Sequence, residues 1–262
     1  MARARLVVTG AATLLLIAAV ANPASAQEKL VGTYGEVRSV LSFKVSDEAL
    51  QKFVPAGWQS SPFSSGPAKG ANMNVVLVDM LTTQGPDGKP QDALRVAALV
   101  LPAKKTGTDA TVPMVFGGFA SNASNVPGAY GNFELAKATV VRNVRTDPDG
   151  KSSVDESWDF KADSGASMLV QLQFVHAPTA RTNVETHVYS AKMPDFYRIY
   201  RIEQALDVVR SSETGVDRVQ KVAFKITGSN LAQLFDGSEK LVSITSIPWY
   251  TRRVSLPSAG TQ

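Results

Sequence analysis

The chain contains no cysteine among its 262 residues. No disulfide can staple this fold, which must rely on core burial, and no thiol is present to carry a lipid anchor. Histidine is nearly missing as well. His176 and His187 are the only two, and no Asp/Glu cluster at ligand spacing accompanies them, so no metal site is expected. Charge of one sign is not in excess: 27 Lys and Arg stand against 23 Asp and Glu. No basic run with interleaved aromatics occurs, so no nucleic-acid partner is expected. There is no internal repeat, which rejects a propeller. Neither Gly118-x-x-Ser121 nor Ser164-Gly165 forms a nucleophile elbow. The glycines at 117, 118, 128 and 131 precede no predicted helix and do not make a phosphate loop. Nothing in the residues calls for a cofactor.

The one long apolar run lies at the start. Arg3 and Arg5 form a positive n-region, 6–20 is apolar apart from Thr9, Gly10 and Thr13, and Ala24-Ser25-Ala26 fits the small-residue cleavage rule. Residues 1–26 are therefore expected to be a signal peptide, with the mature chain in the periplasm or the medium. The run is short and rich in small residues for a membrane span, and no span is expected after its removal. The remaining 27–262 suits one large domain.

That domain reads as all-β. Segments 37–45, 74–81, 93–102, 112–119, 133–145, 153–161, 167–176, 184–191, 218–226 and 241–257 carry strand patterns, several joined by tight turns such as Gly85-Pro86-Asp87-Gly88 and Asp147-Pro148-Asp149-Gly150. The pairs 74–81 with 93–102, 133–145 with 153–161, and the latter with 167–176 are expected hairpins. Residues 196–209 mix strand and helix signals, and only the first half is assigned to strand. Two short helices are expected, capped by Ser46 and Ser229. So many strands must close or double over to hide their edges. The expected architecture is a large antiparallel, closed or nearly closed β-barrel with two short peripheral helices; a two-sheet sandwich is the alternative.

The stretch around which candidate chemistry gathers is 126–141. A Pro/Gly/Asn-rich loop leads into a strand in which Phe133, Leu135, Lys137, Thr139 and Val141 share one face, and Glu134, Ala136, Ala138, Val140 and Arg142 share the other. If the first face lines an interior, Lys137 is a desolvated amine with a lowered pKa, hence a nucleophile. If the sheet lies the other way round, Lys137 is a solvated surface lysine. Glu156, with Val154, Trp158 and Phe160 on its face of the next strand, is the best carboxylate candidate for moving protons. His176 continues the face of Met168, Val170, Leu172 and Phe174 and is placed inward; His187 is placed outward. In Tyr197-Arg198-Ile199-Tyr200-Arg201, Arg198 or Arg201 is suited to grip a carboxylate, as is Arg38 in the first strand. The competing reading of both is a surface strand with paired charges. Tyr130, Phe133 and Trp158 complete the candidate binding set. Trp249-Tyr250 is assigned to core packing.

Three features together resemble the acetoacetate decarboxylase-like barrels. They are the segment Ser46-Asp47-Glu48-Ala49-Leu50-Gln51-Lys52-Phe53-Val54-Pro55, the loop Gly128-Ala129-Tyr130-Gly131 before a lysine-bearing strand, and the turn Leu234-Phe235-Asp236-Gly237 before a long final strand. The resemblance covers most of 27–262. It implies a β-barrel and a lyase that acts on a small oxo acid through a Schiff-base lysine, here Lys137, with Glu156 handling protons and an arginine holding the carboxylate. The family's active members carry two adjacent lysines after an aromatic-Gly turn. Aligning Tyr130-Gly131 with that turn puts Glu134 and Leu135 where the pair would fall. That departure favours the other function compatible with the resemblance: a non-catalytic binding protein for a small oxo acid or a hydrophobic small molecule, with a homo-oligomer left open. Export itself is directly measurable. The intact mass of protein recovered from periplasm or medium is expected to correspond to a chain starting at Gln27, whereas a soluble pool retaining Met1 would contradict the leader assignment.

Overall fold

The computed structural model describes residues 28–258. The expected leader 1–26 and its cleavage site lie outside the described residues. Thirteen strands dominate: β1 (Lys29–Lys44), β2 (Trp58–Ser60), β3 (Met73–Gln84), β4 (Arg95–Lys105), β5 (Thr111–Ala120), β6 (Glu134–Thr146), β7 (Ser152–Ala162), β8 (Ser167–Val175), β9 (Ala180–Ser190), β10 (Tyr197–Ser211), β11 (Val216–Asp217), β12 (Val219–Thr227) and β13 (Lys240–Leu256). The helix α1 (Asp47–Gln51) starts where Ser46 caps it, its hydroxyl accepting from the Ala49 amide. Ser229 caps only a 3-10 turn, Asn230–Leu234, in place of the second helix expected. Among the described residues no helix is long and apolar enough to cross a membrane.

Seven strands close on themselves in the order β5, β9, β10, β13, β1, β3, β4 and back to β5. From β5 the sheet also continues as β6, β7, β8 and β12, a meander that folds over the outside of the ring. The expected hairpins β3/β4, β6/β7 and β7/β8 are all present. The sheet is not wholly antiparallel, as had been expected: β5 runs parallel to both β6 and β9 over short contacts. A period-two pattern sets which face a residue takes but carries no information about strand direction. β10 is strand throughout, beyond the half expected. Its pairing with β13 slips between Ala205 and Asp207 and again between Val208 and Arg210. Those slips break the alternation and let Ile202, Leu206 and Val209 imitate a helical stripe.

The ring's strands are apolar on both faces. On β3, Met73, Val75 and Leu77 face outward into the layer shared with the meander, and Val76, Val78 and Met80 face the ring's interior. Trp158, Phe160, Met168, Val170, Leu172 and Phe174 supply the meander's side of that layer. Burial on both faces produces the near-continuous apolar run seen in the sequence. Closure between β4 and β5 depends on Gly118. Its φ is +138°, and a Cβ there would lie 2.1 Å from the Ala97 carbonyl oxygen. Phe174 is 1% exposed in the shared layer. Phe174→Ala is expected to lower stability by about 3–5 kcal/mol through lost burial and a residual cavity, read as a fall in the denaturant midpoint.

Candidate functional site

The strand that carries Lys137 is turned the opposite way from the catalytic expectation. On β6, Ala136 is buried and Ala138 and Val140 pack against the core, whereas Leu135 and Val141 are exposed. The Lys137 side chain is 88% exposed, with its Nζ 3.8 Å from Asp163. Lys137 is thus the solvated surface lysine of the two readings. The larger residues of β6 mislead because its inner face lies beside bulky neighbours: Ala138 pairs with Phe160 and Val140 with Trp158. Small residues fit there, and larger ones are left outside. Glu134 and Leu135, at the family's lysine-pair positions, do not line the interior either; Glu134 accepts a hydrogen bond from Ser164.

Glu156 is 2% exposed and faces inward, but into the layer between meander and ring. It accepts hydrogen bonds from the Ser39 hydroxyl and from Arg142 Nε (3.0 Å). Arg142 also lies 3.9 Å from Asp79, which pairs with Arg95 at 2.9 Å. Glu156 therefore ties two sheets together and does not adjoin Lys137. Trp158 is fully buried in the same layer. His176 also lies elsewhere: its Nδ1 is 3.0 Å from Asp207, a carboxylate that Arg218 holds with both terminal nitrogens. For Glu156 and Trp158 "inward" means the inter-sheet core, and His176 sits half-buried at its margin against Phe174.

The ring's own interior holds a cavity of about 820 Å³. Arg38, Tyr130, Phe133 and Arg198 line it, so the structure brings these four sequence candidates together. It adds four lining residues that sequence reasoning passed over, Tyr34, Tyr200, Tyr250 and Arg252, and Glu36 buried behind them. A signal for them existed. Tyr34, Glu36 and Arg38 recur at period two, as do Arg198 and Tyr200, and Tyr250 and Arg252. Their strands are neighbours in the ring: Glu36 is opposite Tyr250, and Tyr34 opposite Arg252. Tyr250 was expected with Trp249 in the core; it lines the cavity while Trp249 is exposed on the other face.

Glu36 is the centre of this wall. Arg38 Nε donates to one of its oxygens at 2.6 Å and Arg252 Nε to the other at 2.8 Å. Each guanidinium also lies over aromatic rings: Arg38 is 3.7 Å from the Tyr250 centroid, and Arg252 is 4.7 Å from Tyr34 and 4.5 Å from Tyr200. Gly32 leaves room for Tyr34, since a Cβ there would come within 2.8 Å of its hydroxyl. Burial alone would push the Glu36 carboxyl up, but Arg252 and Arg38 outweigh it and hold the group below its ordinary value of 4.5. Burial alone would lower Arg252; Glu36 reverses that and keeps it charged. The Tyr130 and Tyr200 hydroxyls are hydrogen-bonded at 2.6 Å. Burial, then Tyr200, push the Tyr130 phenol well above its ordinary range. Burial likewise raises Tyr34 and Tyr250. Arg198 Nε is buried and has no hydrogen-bond partner in the structure.

The lining contains three guanidiniums and no lysine or histidine; its one carboxylate, Asp92, is exposed at the rim. Glu36 is ionised and occupied by two arginines, and burial holds the Tyr34, Tyr130 and Tyr250 phenols protonated. Such a wall offers donors and positive charge to an anion and has no free base. Among the described residues no group of three His, Asp or Glu side chains gathers as a metal site.

No protein-family model matches the chain, and no curated protein matches it. Solved structures do. The enduracididine biosynthesis enzyme MppR complexed with pyruvate superposes with a TM-score of 0.53 at 11% identity, over 89% of this chain and 91% of that one. MppR complexed with the condensation product of pyruvate and imidazole 4-carboxaldehyde gives 0.53 at 10% identity, over 94% and 96%. An acetoacetate decarboxylase-like enzyme from Sphingomonas wittichii RW1 gives 0.51 at 10% identity, over 95% and 99%. The chain has the acetoacetate decarboxylase-like fold.

Glu36→Gln keeps the shape of the central side chain and removes its charge, leaving two guanidiniums uncompensated. Stability is expected to fall by about 3–5 kcal/mol. Because the folded-state pKa is depressed, the wild-type contribution is present above the ordinary value of 4.5 and is lost as pH falls through the folded value. Denaturant unfolding at neutral pH and at successively lower pH checks both: the gap between variant and parent should shrink only below pH 4.5.

Proposed function

We propose that this chain is a small-molecule-binding protein of the acetoacetate decarboxylase-like fold that takes an organic anion in its ring cavity and forms no Schiff base. The observation that carries this is the lining itself: three arginines in an otherwise largely aliphatic cavity, with no amine among them. A Schiff base needs a partly neutral lysine beside the carbonyl carbon, and Lys137 extends into solvent next to an aspartate. MppR, of the same fold, has been solved with pyruvate, which supports an interior suited to small oxo acids and their derivatives. The leader at 1–26 supports export, so we place the mature protein in the periplasm or the medium, where a carrier or scavenger of organic acids would act.

The test is chemical trapping. The mature protein is incubated with pyruvate or acetoacetate, reduced with borohydride and mapped by peptide mass. No stoichiometric adduct is expected, and Lys137→Ala is expected to match the parent. A single lysine carrying one equivalent of oxo acid would overturn the Schiff-base-free reading.

A further inference from the structure

The cavity is large for the anions that fit its charge. At roughly 30 Å³ per non-hydrogen atom, the share of one water in the liquid, about 820 Å³ holds on the order of 25 such atoms, where a small oxo acid has about six. The walls are also unequal. Arg198 and Tyr200 come from β10, Arg252 from β13 and Arg38 from β1, which are consecutive in the ring. β3 and β4 each lie three steps round the ring from β10, on the opposite side. They contribute Val76, Val78, Met80, Val96, Ala98 and Val100, with the polar Asn74 and Thr83 at the two ends of the β3 stretch. The β10/β13 side is cationic and phenolic, and the middle of the β3/β4 side is aliphatic, with Arg38 at its edge opposite Val78.

The cations are not equivalent. Arg38 and Arg252 already share the Glu36 carboxylate. Arg198 has a buried, unpartnered Nε and stands on the same strand face as Tyr200, whose hydroxyl is paired with that of Tyr130. A planar guanidinium with free donors matches one carboxylate, which it can hold by two parallel hydrogen bonds. Of the two hydroxyls in the tyrosine pair, one proton remains to be donated onward.

We propose that the cavity is built for an amphipathic monocarboxylate, its head group on Arg198 and the tyrosine pair and its aliphatic tail of roughly ten or more carbons against the β3/β4 wall. This rests on the anion-binding reading above and specifies its ligand class. The carboxylate is chosen over a phosphate monoester because a single free guanidinium supplies the donors. The tail is chosen as aliphatic because valine, methionine and alanine form the middle of the wall that must receive it, between Asn74 and Thr83.

The experiment is titration calorimetry on the mature chain with pyruvate, hexanoate, octanoate, decanoate and dodecanoate, each below its aggregation limit, together with decyl phosphate. Affinity should rise about threefold to fourfold per methylene until the cavity is filled. Decanoate should bind more tightly than decyl phosphate. Arg198→Gln should weaken decanoate by tenfold or more and Arg198→Lys should restore part of it, both with circular dichroism matching the parent. Ala98→Phe, which fills the aliphatic side, should leave hexanoate unchanged and cut off the longest chains, an effect general destabilisation does not mimic. Tight pyruvate binding with no gain from longer chains would overturn the tail and leave the anion cavity standing. Preference for decyl phosphate would overturn the carboxylate head group. Failure of every anion to bind would sink both readings.

Discussion

Everything inside the ring depends on one buried carboxylate. Glu36 sits between Arg38 and Arg252 with both oxygens engaged, and three charges are thereby held out of bulk water. Desolvation opposes such an arrangement, which persists only when geometry and further contacts compensate. Here the compensation comes from short hydrogen bonds and from tyrosine faces beneath each guanidinium. The result is a stiff wall whose charge does not cancel, because Arg198 adds a third cation that pairs with no acid among the described residues. Its donors are held in place before any ligand arrives.

The same strands serve two interiors. β1 turns Glu36, Arg38 and Val40 toward the cavity side and Ser39, Leu41 and Phe43 toward the layer shared with the meander. Alternation allows this, since successive residues on a regular stretch of strand take opposite faces. The second interior is an apolar layer with Asp207 held by Arg218 and His176 and, as its connection from β1 to β7, Ser39 and Arg142 on Glu156. That connection crosses from ring to meander and fixes their relative placement, which an apolar contact alone would specify less sharply. Acidic residues thus occupy both interiors, each paired with arginine.

The fold and the chemistry separate cleanly. A scaffold similar to MppR and to an acetoacetate decarboxylase-like enzyme carries, in this chain, a cavity lined with arginine, tyrosine and valine. Fold likeness at about one residue in ten identical bears on architecture only, and what the interior can do must be read from its own side chains. An amine nucleophile needs a lysine facing the cavity, and among the described residues none lines it. Charge, hydrogen-bond donors and aliphatic surface line it instead.

Local pattern alone determined a good deal. Turn chemistry at Gly85–Gly88 and Asp147–Gly150, the cap at Ser46, and strand alternation specified the hairpins β3/β4, β6/β7 and β7/β8, because each depends on neighbours close in sequence. Phe174 was assignable to a core face for the same reason. Arg38 and Arg198 were visible as cations among aromatics, yet nothing local said that their strands are separated in the ring only by β13, or that Glu36 and Arg252 join them. The tertiary structure decided which face of β6 is inside, because Phe160 and Trp158 across the strand pair already fill the space that larger β6 residues would need. It also decided that there are two interiors, which sent Glu156 and Trp158 to one, with His176 at its margin, and Arg38, Tyr130, Phe133 and Arg198 to the other. Period two tells a residue which of two faces it takes; what lies beyond each face depends on contacts between distant strands, and those form only when the ring closes.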